Sequence, residues 1–130
     1  MEKQTKNKEF IINYLNTFSG MPKTRKLLEQ YITDETLIGH VEFFEASFPK
    51  YEMFIDEIIA EGNRVIIKAH VKGTHLGDLG GIPPTYKIVY HPCVVAYEIE
   101  NNKIISHWML SDKMELMEQL GVIPAAQAVH

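Results

Sequence analysis

Apolar residues in the first part of the chain return at helical intervals. Phe10, Ile11, Tyr14, Leu15 and Phe18 fall three and four positions apart, which places them on one face of a helix. Thr5 is the N-cap this spacing predicts and Gly20 the stop, with Met21-Pro22 breaking the chain behind it. Thr24 caps a second, short helix that buries Leu27, Leu28, Tyr31 and Ile32. Thr33 or Asp34 starts a third, with Leu37, Ile38, Val41, Phe44 and Phe48 on one side and Pro49 beyond its end.

From Tyr51 the pattern changes to that of strands. Tyr51 to Ala60 is apolar and β-branched, Glu61-Gly-Asn63 is a hairpin turn, and Arg64 to Lys72 is the return strand. Val65, Ile67, Ala69 and Val71 alternate there with Ile66, Lys68, His70 and Lys72, giving the sheet two different faces. Four glycines and two prolines then crowd the stretch Gly73 to Thr85, which no regular element accommodates throughout. A long ordered connection of this kind is more often functional than decorative; the plain alternative is a rigid crossover directed by Pro83-Pro84. Lys87 to Glu100 forms a long strand, and Asn101-Asn102 turns it into Ile104 to Leu110. Asp112, with Glu115 three residues on, opens a last helix whose apolar contacts are Met114, Leu116, Met117 and Leu120. Gly121 is its C′ residue and Pro124 lies beyond. Three helices, a four-stranded antiparallel meander and a final helix define an α+β fold, expected as a single domain over residues 1–130.

Composition narrows the partners. An apolar content of 45% and a charged content of 23% suit a globular protein with a real core. Thirteen basic residues against 17 acidic ones, with no basic cluster along an aromatic stripe, argue against nucleic-acid binding. No apolar run is long enough to span a bilayer, and the polar N-terminus lacks a signal-peptide core. The lone cysteine, Cys93, excludes an internal disulfide and suits a reducing compartment, so the expected location is cytoplasmic.

Several short motifs occur together in a familiar order. Gly73-Thr-His75, Gly77, Gly81-Ile-Pro-Pro-Thr85, Asn102-Lys-Ile104, His107-Trp108, Asp112 and Gln119-Leu-Gly121 resemble the SnoaL-like proteins. These are also called predicted ester cyclases, within the nuclear-transport-factor-like (cystatin-like) superfamily. The resemblance is detailed over the C-terminal half and agrees in layout elsewhere. It implies a cone-shaped α+β barrel, three N-terminal helices on a curved four-stranded antiparallel sheet with a short C-terminal helix. It also implies a pocket inside the cone and a homodimer. In the polyketide cyclases of the family an aspartate and a histidine perform the acid/base work of an aldol ring closure. The aligned positions here are Met109 and Val95, and neither side chain exchanges protons. Asp112 has a sufficient structural task as a helix cap.

Histidines are the remaining acid/base candidates, because only imidazole titrates near neutrality without perturbation. With Met109 facing the pocket, strand alternation puts Ile105 and His107 on the same face, and Val95 with His91, Cys93 and Tyr97. The candidate catalytic groups are therefore His107, His40 and Cys93, each weighed against an ordinary structural role. His75 also serves as a loop fastener, and His70, beside Lys68 and Lys72, fits an outer sheet face. Tyr14, Phe18, Phe44, Phe54, Val95, Tyr97, Trp108 and Met109 are the candidate ligand-binding residues of an apolar chamber. No spacing matches a metal motif, a nucleophile elbow or a dinucleotide fingerprint, so no metal and no cofactor is expected. Three readings stay open: a cofactor-free cyclase, isomerase or hydrolase-type enzyme, a non-catalytic carrier of a small molecule, and a dimeric interaction module with a filled cone.

Overall fold

Alternation from residue 52 onward builds one antiparallel sheet in the order β1-β2-β3-β4, as a computed structural model of the chain shows. Residues 2–123 are described; Pro124 lies outside them. The strands are β1 (Glu52–Glu61), β2 (Arg64–Thr74), β3 (Ile88–Glu100) and β4 (Lys103–Ser111). The helices are α1 (Glu2–Phe18), α2 (Arg25–Leu28), α3 (Glu35–Ser47) and α4 (Lys113–Leu120). The sheet is curved, and its inner face carries Val65, Ile67, Ala69 and Val71 from β2. At the β3–β4 turn, Asn101 and Asn102 take φ of 51° and 58°, the paired left-handed residues that a tight hairpin demands.

Two bulges adjust the ladder. Asp56 has no partner between the pairs Ile55↔Ala69 and Glu57↔Lys68, and Ile105 none between Glu98↔Ser106 and Ile99↔Ile104. The second overturns the expected alternation along β4. Ile104, not Ile105, lies opposite buried Ile99, and beyond the bulge His107, Met109 and Ser111 face Tyr97, Val95 and Cys93.

The helices depart from expectation at their ends. α1 starts at Glu2, ahead of Thr5, because the polar run is itself made of good helix formers and Lys6 pairs with Glu2 one turn away at 3.6 Å. α2 is a single turn capped by Thr24. It buries Leu28 but leaves Leu27 exposed, contrary to the expected pair. Tyr31 and Ile32 leave the helix for β4: the Ile104 N–H donates to the Tyr31 carbonyl, and the Ile104 carbonyl receives Thr33 N–H. Asp34, rather than Thr33, caps α3, accepting from the Thr36 and Leu37 N–H groups at 3.0 and 3.2 Å. Asp112 caps α4 by accepting from Glu115 N–H at 2.9 Å, and Gly121 closes it at φ 76°. Met114 points to solvent instead of joining Leu116 and Leu120 in the core.

The connection from β2 to β3 is a fastened loop. His75 is fully buried, and its Nδ1 accepts from Thr85 N–H at 3.1 Å, while its backbone pairs with Tyr86 and Lys87. Leu76 and Gly77 N–H groups donate to the Ser47 carbonyl, and Ser47 Oγ donates to the Asp78 carbonyl at 2.8 Å. A Cβ at Gly77 would sit 2.0 Å from the Ala46 carbonyl oxygen, so this approach to α3 requires glycine. The loop thereby becomes a wall beside α3.

Candidate functional site

Between the helices and the concave face of the sheet lies a cavity of about 460 Å³. Tyr14 of α1 and Phe44 and Val41 of α3 form one side. The strands contribute Met53, Val71, His91, Cys93, Val95, Tyr97 and Met109. Leu79 and Ile82 of the fastened loop and Leu116 and Met117 of α4 complete it, with His40, Phe43 and Lys113 reaching solvent. A wider depression of about 840 Å³ beside the start of α1 is walled by polar groups such as Lys3, Asn7 and Asn101. Its openness to water weakens any contact made there. The apolar cavity is the better binding site.

Its aromatic wall is interlocked. Phe44 meets Tyr51 edge-on at 5.0 Å and stacks on His91 at 6.1 Å, and Tyr14 meets Tyr97 edge-on at 6.2 Å. Burial pushes the Tyr14, Tyr51 and Tyr97 phenols up, so all three remain protonated donors at neutral pH. Burial also drives the Cys93 thiol up to about 11, with nearby Asp56 adding to the effect, which leaves it a poor nucleophile.

A carboxylate–imidazole pair stands next to His40, outside the cavity lining. His107 Nδ1 lies 2.7 Å from Asp34 Oδ2, with both side chains largely buried. Burial alone would raise the Asp34 carboxyl. The hydrogen bond and charge of His107 and the N–H groups of Leu37 and Thr36 outweigh that and hold it below the usual range. An ionised Asp34 only accepts, so the proton between them belongs to His107 Nδ1. The other side of this pair meets His40, whose ring is 5.5 Å from that of His107 and nearly perpendicular to it.

Of the sequence-derived candidates, Tyr14, His40, Phe44, Cys93, Val95, Tyr97 and Met109 border the cavity, and Val95 and Met109 are direct cross-strand neighbours. His107 is set behind His40 and is not among the cavity-lining residues. Three others are elsewhere. Phe18 packs on Tyr14 and Tyr31 in the core, because one further helical turn carries it past the cavity. Phe54 and Trp108 occupy the outer face: Phe54 stacks on His70 at 5.0 Å, and Trp108 pairs with Ala96. Sequence reasoning missed Asp34 as the partner of His107 and did not single out Tyr51. A helix cap is an ordinary signal, and nothing local to residue 34 announces residue 107. Among the described residues no three His, Cys, Asp or Glu side chains converge as a metal ion would need.

A curled sheet roofed by helices over an apolar chamber with a few ionisable groups defines a small-molecule-cavity protein. The family model for the SnoaL-like polyketide cyclases matches residues 22–120, and the chain belongs to that family. Solved structures agree in fold. The candidate SnoaL-like polyketide cyclase of Jannaschia sp. CCS1 superposes with a TM-score of 0.77 at 19% identity, covering 93% of this chain and 95% of that one. IdmH, a candidate polyketide cyclase of Streptomyces antibioticus, gives 0.73 at 20% identity over 88% and 98%. AclR, a candidate hydroxylase of Streptomyces galilaeus, gives 0.65 at 26% identity over 75% of this chain and 62% of its own. No curated protein matches the chain in sequence. Among the described residues no helix is long and apolar enough to cross a membrane.

Proposed function

We propose that the cavity binds an apolar, ring-bearing small molecule and carries out cofactor-free proton transfer of the cyclase, isomerase or hydrolase type. One observation carries this reading: His40 stands in the wall of an apolar cavity with its ring 5.5 Å from that of His107, which Asp34 holds. In this arrangement Asp34 fixes the tautomer and orientation of His107, and His107 supports His40 at the cavity. Cys93, with its raised thiol, serves as wall rather than nucleophile. Native mass spectrometry of the purified protein, with identification of whatever denaturation releases, tests the binding. Once a ligand is known, His40→Ala and His107→Ala are expected to lower turnover at least a hundredfold with an unchanged circular dichroism spectrum. Full activity in both variants removes these histidines from the mechanism.

A carrier without catalysis is the second reading, and the Val95–Met109 pair favours it. Where the resemblance places a proton-transferring histidine and aspartate, an isopropyl group faces a thioether across β3 and β4. Recovery of one tightly held, chemically unaltered ligand distinguishes carrier from enzyme. Under either reading the chain acts as a homodimer through the outer face of the sheet, and the lone, buried Cys93 fits a reducing cytoplasm.

A further inference from the structure

The cavity lining is unevenly exposed. Tyr51, Cys93 and Tyr97 are buried in its wall, whereas His40, Phe43, Gly80, Met109 and Lys113 reach solvent. These five mark the mouth, where α3, the fastened loop, β4 and the start of α4 meet.

Charge divides along the same line. Among the described residues no Asp, Glu or Arg lines the cavity, and Lys113 stands at the mouth. Its ammonium has neither an ion pair nor a hydrogen bond among the described residues. Asp112, next to it in the chain, caps α4 by accepting from Glu115 N–H at 2.9 Å, and neither Asp112 nor Glu115 borders the cavity. His40 shares the mouth, and its ring meets that of His107 rather than a carboxylate. A chain of formal net charge −4 thus opens its apolar cavity through a mouth whose charged group is positive.

This division sorts ligands by the charge of their polar end. Deep in the cavity an anion exchanges its water for protonated phenols and a protonated thiol, with no cation to offset the loss. At the mouth it keeps much of its water and gains the attraction of Lys113. A cationic end meets a like charge there and no carboxylate in the wall behind.

Resting on the reading of the cavity as a small-molecule site, we propose that its ligand is an amphipathic carboxylate, bound with the carboxylate outward at Lys113 and the apolar body inside. The body lies against Phe44, Leu79 and Met117, and the charged end shares the rim with His40. His40 therefore meets the carboxylate-bearing end of the ligand rather than its far end.

Three probes with one ring system and different ends test this in the full chain: naphthalene, 2-naphthoate and 2-naphthylmethylammonium. In calorimetric titrations of the wild type near neutral pH, 2-naphthoate is expected to bind about fivefold more tightly than naphthalene, the scale of a solvent-exposed charge pair. The ammonium probe binds more weakly than either. At an ionic strength of ~1 M, where the screening length is ~3 Å, the naphthoate falls within twofold of naphthalene. Lys113→Glu reverses the charge of an exposed side chain in the first turn of α4, where an acidic residue suits the helix dipole, so the fold is kept. In that variant the two charged probes are expected to exchange order while naphthalene changes less than twofold. A naphthoate no tighter than naphthalene in the wild type overturns the anchor and leaves the cavity reading intact. A naphthoate preference that survives the reversal does the same, since it places the carboxylate inside against the phenols. Failure of every probe to bind the wild type removes the cavity reading and the anchor together.

Discussion

Asp34 performs two tasks with one carboxylate: Oδ1 accepts from the first turn of α3, and Oδ2 holds His107 on β4. Asp34→Ala removes the cap and leaves a largely buried imidazole unpaired, so the expected loss is about 2–3 kcal/mol, read as a fall in the urea midpoint at constant slope. Asp34→Asn keeps an oxygen for the cap and loses less. The acid limb of stability follows from two depressed pKa values. His91 is held neutral by burial, so its contribution is complete above the unfolded imidazole value and is lost as pH falls from there through its lower folded value. Asp34 is depressed from the carboxylate range, so its contribution is complete above the unfolded carboxylate value and disappears as pH falls through its folded value. Urea midpoints are therefore expected to decline in two stages on acidification, the first beginning near pH ~6.5, the ordinary imidazole value. His91→Phe should erase the first stage and keep the second; an unaltered profile in that variant contradicts a neutral, buried His91.

At the scale of elements, the fastened loop couples α3 to the cavity. Gly77 passes so close to Ala46 that a methyl group forces backbone apart, and backbone cannot rotate away as a long side chain can. Gly77→Ala is expected to cost about 1–3 kcal/mol, as overpacking does. Faster hydrogen exchange at the Leu76 and Gly77 amides would then report release from Ser47. Because Leu79 and Ile82 ride on the same loop, naphthalene affinity should fall too; normal affinity and exchange would detach the loop from the site. The elements themselves were legible because each carries its own period and punctuation: α1 by its apolar face, β2 by alternation, α4 by Asp112 and Gly121. What escaped the sequence was decided across long separations. Thr33 and Asp34 are equally good caps by type, and the choice fell to the Ile104 carbonyl, which takes the Thr33 hydroxyl at 3.4 Å and leaves the Asp34 carboxylate to cap the helix. The bulge at Ile105 carries no glycine or proline to mark it, so the face of Ile104 was misassigned. In the candidate site, alternation along β3 placed Cys93, Val95 and Tyr97 together. Trp108, between His107 and Met109, was assigned to the chamber against that same alternation, Phe54 lies on a strand apolar on both faces, and neither touches the chamber.

For the whole molecule, the outer face of the sheet raises a question that the cavity does not answer. Trp108 and Leu110 on β4 are 56% and 61% exposed, and Tyr90 and Ile59 extend the same apolar character towards the other strands. Ala96 and Val94 on β3 lie beside the first two on the same face, while Lys68 and Lys72 interrupt it and confer polarity. Large apolar side chains gathered on one face usually meet a partner surface. A second copy of the chain is the occupant proposed here, pairing the same face on both subunits. The cavity lies on the opposite, concave side, so such a dimer leaves both ligand sites open. Two quantities should then separate in one variant. Trp108→Lys places a charge at the centre of the interface and is expected to halve the mass measured by sedimentation velocity, because an unpaired buried charge is costly. Naphthalene affinity in the resulting monomer should stay within twofold of wild type, since Trp108 does not border the cavity. A wild-type monomer, or a variant that sediments as a dimer, would exclude this face as the interface. Loss of mass and affinity together would instead mean that subunit contact supports the cavity across the sheet, through Ala96 and its inward-facing neighbours Val95 and Tyr97.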